Sequence, residues 1–92
     1  MRAKRVGLQK NACIALGNNR EKTGVPALIS ALESPEPLVR GHAAWALGKI
    51  ATSDASLVLE KACQSETDPY VIGEIEGALK AAGDQGSTNR TR

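Results

Sequence analysis

The sequence contains no phenylalanine, one tryptophan (Trp45), one tyrosine (Tyr70) and one histidine (His42). With so few rings, any core must be built from Leu, Ile, Val and Ala. That composition favours packed helices over sheets, which draw on aromatic and β-branched residues. Cysteine is nearly as scarce, with only Cys13 and Cys63. A tetrahedral zinc site or an iron–sulfur cluster takes about four ligands, and only His42 can join the two thiols without recruiting carboxylates. No metal centre or other cofactor is therefore expected in this chain. Both cysteines fall within apolar helical patterns, so they read as free core thiols, with no disulfide between them. Long apolar runs are also missing, so nothing here spans a bilayer. The basic start from Met1 to Arg5 is not followed by the continuous apolar stretch of a signal peptide. The expected location is cytoplasmic. There is no glycine-rich phosphate loop and no Ser-His-Asp or Cys-His spacing, and this chain alone is not expected to be an enzyme.

At 92 residues the chain makes one small domain, burying only about 60–65% of the surface exposed on unfolding. Its formal net charge of +2 conceals a marked asymmetry. Through residue 53 there are eight basic residues against three acidic ones; from 54 to 84 there are two against seven. Arg90 and Arg92 restore the balance. A basic front half steers polyanions towards one end, unless the asymmetry is simply scattered surface charge.

The chain repeats. Asn11-Ala12-Cys13-Ile14-Ala15-Leu16-Gly17 lies 31 positions before His42-Ala43-Ala44-Trp45-Ala46-Leu47-Gly48, sharing the pattern x-A-x-x-A-L-G. A weaker third copy follows at a spacing of 32, where Pro69-Tyr70-Val71 matches Pro37-Leu38-Val39 and Ala78-Leu79 matches Ala46-Leu47. Between the copies, Leu28 and Ala31 fall on Leu59 and Ala62. A period near 31 residues marks a helical solenoid.

Local signals place five helices. The first covers about 4–17, with Val6, Leu8, Ala12, Ile14, Ala15 and Leu16 as candidate contacts. Val25, Leu28, Ile29 and Leu32 form the stripe of the second, started by Thr23 or Gly24, with Pro26 in its first turn. Ser34-Pro35-Glu36-Pro37 breaks the chain. Val39, Ala43, Ala46, Leu47 and Ile50 face inward on the third helix, and Gly48 falls near its end. Ser53 is the expected cap of the fourth, which runs through Leu57, Leu59 and Ala62 to about Ser65. Asp68-Pro69 opens the fifth, with Val71, Ile75, Ala78 and Leu79 inward. The repeat domain occupies residues 1–82, followed by a polar, disordered tail over 83–92. The first helix has no preceding partner, so it presents an exposed apolar edge, or a surface where a larger protein continued.

Helical repeats of this length ending in A-L-G resemble the short HEAT-like repeats also found in phycobilisome lyases. A more specific resemblance is to the C-terminal region of bacterial epoxyqueuosine reductases. It rests on Lys10 to Asn18, Val25-Pro26-Ala27-Leu28, the run from Pro37 to Ile50, and Glu66-Thr67-Asp68-Pro69 with Val71 and Glu74-Ile75. It covers about residues 5–82. The fold implied is all-α, a short HEAT-like α-solenoid of about five helices, or two and a half repeats. Members of that family reduce epoxyqueuosine to queuosine in transfer RNA with cobalamin and two [4Fe–4S] clusters, and their HEAT-like part helps hold the anticodon stem-loop. This sequence has neither a cysteine-rich cluster motif nor room for a cobalamin domain. It resembles the C-terminal module alone, with Met1 as an internal start. The tRNA-holding role carries over and catalysis does not.

RNA binding by such a module rests mainly on phosphate contacts from Lys and Arg. The candidates are Lys4, Arg5, Lys10, Asn11, Arg20, Arg40, His42 and Lys49. Lys10-Asn11 and Arg40-Gly41-His42 hold related places in successive repeats and would line up as one strip. Each has a structural alternative. Arg40 can instead bond a carboxylate or carbonyl of the next repeat, and Ile72 ends any ladder there. His42 can be a half-buried, hydrogen-bonded residue, Trp45 a core residue or inter-domain face, and Lys4 and Arg5 solubilising charges on a frayed end. The partners implied are a tRNA anticodon stem-loop and the catalytic domain. The competing function is a free-standing scaffold for protein–protein interaction.

Overall fold

A computed structural model describes the backbone of residues 2–86 and the side chains of 3–83. Five α-helices run in order: α1 (Arg2–Asn18), α2 (Val25–Ala31), α3 (Pro37–Ile50), α4 (Ser53–Ser65) and α5 (Pro69–Gly86), with a 3₁₀ turn (Lys22–Gly24) before α2. There is no strand among the described residues. The architecture is the expected all-α solenoid. α1, α3 and α5 lie side by side in one layer, with α3 making its most extensive contacts to α5 and α1; α2 packs on α3, and α4 on α5.

The central helix has neighbours on nearly every side. All five residues of the expected α3 stripe are buried, and so are Gly41, Ala44 and Gly48. A helix flanked on several sides buries more than one stripe, and only Leu38 is left exposed, with Arg40, His42, Trp45 and Lys49 half-buried. Small side chains let the helices approach. A Cβ added to Gly48 would stand 2.6 Å from the Ala78 Cβ of α5. Among the outer helices the apolar pattern is less reliable. α1 buries Cys13 and Gly17 and half-buries Val6, Ile14 and Leu16, while Ala12 and Ala15 are exposed and Leu8 is 65% exposed. In α4, Leu59 is buried but Leu57 is 65% exposed. Both cysteines are free thiols, and burial pushes the Cys13 thiol pKa up, which suits a core role.

One expected cap moves by a residue. Thr52, not Ser53, caps α4: its backbone is extended and its Oγ1 accepts from the Ala55 N–H at 3.1 Å. The Thr23 hydroxyl donates to Glu21 (2.7 Å), leaving Gly24 as the α2 cap without a side-chain bond. Asp68 caps α5 as expected, its Oδ1 accepting from Tyr70 N–H (2.9 Å) and Val71 N–H (3.3 Å). α1 ends in a Schellman turn, with Arg20 N–H donating to Gly17 C=O and Glu21 N–H to Leu16 C=O. Arg20 therefore sits at the left-handed position (φ 48°), and Ala51 does the same after α3 (φ 59°), 31 residues later. At the other end, α5 continues to Gly86, so residues 83–86 of the expected tail are helical; 87–92 lie outside the described residues.

Candidate nucleic-acid interface

The repeat spacing determines which side chains meet on the layer formed by α1, α3 and α5. A groove of about 380 Å³ opens there, lined by Ile14 and Asn18 of α1, His42 and Trp45 of α3, and Tyr70 and Glu74 of α5. All three ring-bearing side chains of the His, Tyr and Trp type in the sequence line it. Two glycines make room for them. A Cβ on Gly17 would stand 2.6 Å from the Trp45 ring, and one on Gly41 would overlap the Tyr70 ring. Each ring thus lies back across the helix of the preceding repeat.

His42 is anchored. Its Nδ1 lies 2.8 Å from the Leu38 carbonyl one turn earlier. A carbonyl only accepts, so Nδ1 carries a proton and donates it there. The Tyr70 hydroxyl approaches the same nitrogen at 3.3 Å, and the two ring centroids are 6.5 Å apart. Burial is the main cause raising the Tyr70 pKa, helped by the Glu74 and Asp68 carboxylates, so its hydroxyl stays protonated at neutral pH. The Lys49 ammonium stands 5.9 Å from the Trp45 ring centroid, a cation–π contact that places a positive charge at the groove edge. Trp45 packs against the core with part of its ring while lining the groove.

The other candidates divide. Asn11 is exposed and Lys10 half-buried on α1, one repeat before His42 and Gly41. Lys4 is exposed in the first turns of α1, whereas Arg5 lines a different groove, between α1 and α2. Arg40 does not extend the strip. Its Nε and Nη2 each donate to Glu66 at 2.9 Å and its Nη1 to the Ser34 carbonyl at 2.9 Å, so it joins the loops before α3 and α5. Arg20 donates from Nε to the Lys49 carbonyl at 3.2 Å, capping the C-terminal end of α3 from the preceding repeat. Tyr70 and Glu74 were absent from the sequence-derived set. The signal was the third, weaker repeat copy, in which Tyr70 takes the place of Leu38 and Glu74 that of His42.

Among the described residues no group of three His, Cys, Asp or Glu side chains could hold a metal ion, and none of their helices is long and apolar enough to cross a membrane. Two cysteines, one of them buried, do not fit the four-thiolate demand of a [4Fe–4S] cluster.

Known proteins share this helical arrangement. The chain is 45% identical over 69 residues to an epoxyqueuosine reductase of Listeria monocytogenes serovar 1/2a and 42% identical over 74 residues to one of Bacillus anthracis. These matches cover 74% and 79% of this chain but only 18% and 20% of the relatives. A crystal structure of selenomethionine-labelled epoxyqueuosine reductase superposes with a TM-score of 0.75 at 35% identity, over 79% of this chain and 20% of that one. The chain therefore spans about a fifth of the reductases it resembles. Residues 2–80 match the family described as HEAT repeats. In sequence period, helix order and layer packing alike, the chain belongs to the HEAT-repeat family.

Proposed function

We propose that this chain is the HEAT-like module with which an epoxyqueuosine reductase holds the anticodon stem-loop of its tRNA, and that it is not catalytic in isolation. The observation carrying this reading is the match itself: most of this chain aligns with one fifth of those reductases, in sequence and in structure. The cobalamin and iron–sulfur chemistry then belongs to the remainder of the enzyme. The RNA contacts assigned to this module are Lys4, Lys10, Asn11, His42 and Lys49, with Arg5 at the margin. Arg20 and Arg40 position the loops and helix ends around them. The module works in the cytoplasm, where tRNA is modified.

Fluorescence anisotropy of a labelled anticodon stem-loop from a queuosine-type tRNA tests this, with a scrambled hairpin as competitor. Preference for the anticodon stem-loop supports the reading; equal binding of both hairpins, or of neither, removes it.

A second reading, a scaffold for a protein partner, draws on the groove of about 550 Å³ between α1 and α2, whose lining includes Val6, Ala12, Cys13, Leu16 and Leu28. An apolar contact there would bind a protein with little dependence on salt, opposite to a phosphate contact.

A further inference from the structure

From the groove across α1, α3 and α5 we infer a seat for one unstacked nucleobase of an RNA loop, held between Tyr70 and Trp45 and read by Glu74 and Asn18. The inference rests on the RNA-binding reading above and names the part of the RNA that this face takes. Rings are scarce in this sequence and a core would ordinarily absorb them. Instead Tyr70 is 41% exposed, and Trp45 and His42 are only partly buried beside it on one opening. With no Cβ at Gly17 and Gly41 the two larger rings can approach the preceding helices closely, and both line the groove. Ring faces of this kind bind bases by stacking, without requiring a particular sequence.

The polar rim points to a base and not a phosphate. Glu74 can only accept hydrogen bonds and repels an anion, so the group beside it offers N–H, as the amine-bearing edges of guanine, adenine and cytosine do. Asn18 both donates and accepts, and His42, whose Nδ1 is engaged by the Leu38 carbonyl, has Nε2 left for a further hydrogen bond. Lys49 at the Trp45 edge, with Lys10 and Asn11 on the neighbouring helix, provides the phosphate contacts that a flipped-out nucleotide needs on either side. The groove volume of about 380 Å³ accommodates one base and its ribose, not a duplex.

The test uses the full chain and two RNA hairpins of equal charge, one with a natural seven-nucleotide loop and one with the same loop made abasic. Wild type is expected to bind the natural loop about 5- to 150-fold more tightly, the range of one stacked base. Emission from Trp45, the sole tryptophan, should change with the natural loop only. Tyr70→Ala should abolish the difference, Tyr70→Phe should keep it, and circular dichroism should show both variants folded. If both hairpins bind equally to wild type, the base seat is overturned while phosphate binding stands. If neither hairpin binds, the RNA-binding reading falls and the base seat with it.

Discussion

Arg40 in α3 and Glu66 in the loop before α5 form a forked ion pair, two parallel N–H···O bonds of 2.9 Å with side chains 18% and 10% exposed. Glu66 also accepts from the backbone N–H groups of Thr67 (3.2 Å) and Asp68 (3.0 Å), so one carboxylate sets the loop from which Asp68 caps α5. Removing the carboxylate leaves a shielded guanidinium with the Ser34 carbonyl in place of a counter-charge, and releases two backbone donors. Glu66→Ala is expected to lower stability by about 2–4 kcal/mol, measured by urea denaturation. Arg40→Lys should recover little of what Arg40→Ala loses, because an ammonium cannot fork.

The same pair gives the fold a specific acid sensitivity. Hydrogen bonding from Arg40 is the main cause holding the Glu66 pKa below its ordinary value, against the opposing effect of burial. Because the folded pKa is depressed, the stabilisation is complete above the unfolded value of about 4.3 and is lost as pH falls through the folded value. Stability should therefore decline below about pH 4. Glu66→Gln should be less stable at neutral pH and show a flatter decline on acidification, as followed by urea midpoints across pH.

Ala51 occupies the left-handed region at φ 59° with a Cβ that disfavours it. Ala51→Gly is expected to stabilise the protein by about 0.5–1 kcal/mol, the strain relieved outweighing the added freedom of the unfolded chain. Arg20→Gly at the corresponding turn should gain less, since it also gives up the bond to the Lys49 carbonyl. Thermal denaturation of the two variants makes the comparison.

Two glycines on neighbouring helices should respond in opposite directions. Gly48 packs against the α5 backbone at Ala78, so Gly48→Ala forces α3 and α5 apart and should cost about 1–3 kcal/mol. Gly73 is exposed in α5 with nothing within 4 Å of an added Cβ, so Gly73→Ala should gain about 1 kcal/mol from helix propensity. Chemical denaturation of both variants checks the sign of each.

The 31-residue period made the helix order legible in the sequence, along with the buried row of α3 and the opening of α5 at Asp68-Pro69. What it concealed depended on three dimensions. Leu8 and Leu57 look like core residues in a linear pattern, yet the outer helices lack neighbours on those sides. The sequence offered Arg40 either as an RNA contact or as a bond to the next repeat, but it could not name Glu66 and Ser34 as the acceptors, nor the Lys49 carbonyl as that of Arg20. The groove was hidden for another reason. Tyr70 and Glu74 belong to the most divergent repeat copy, and only the side-by-side packing of α1, α3 and α5 brings them to His42 and Trp45.

The most direct measurement of the central claim is the affinity for the anticodon stem-loop across a range of salt, for wild type and Lys10→Ala. Log K is expected to fall steeply and linearly with log salt, with a slope shallower by about one for Lys10→Ala and folding unchanged. An affinity indifferent to salt, or no binding at low salt by a well-folded chain, would contradict it.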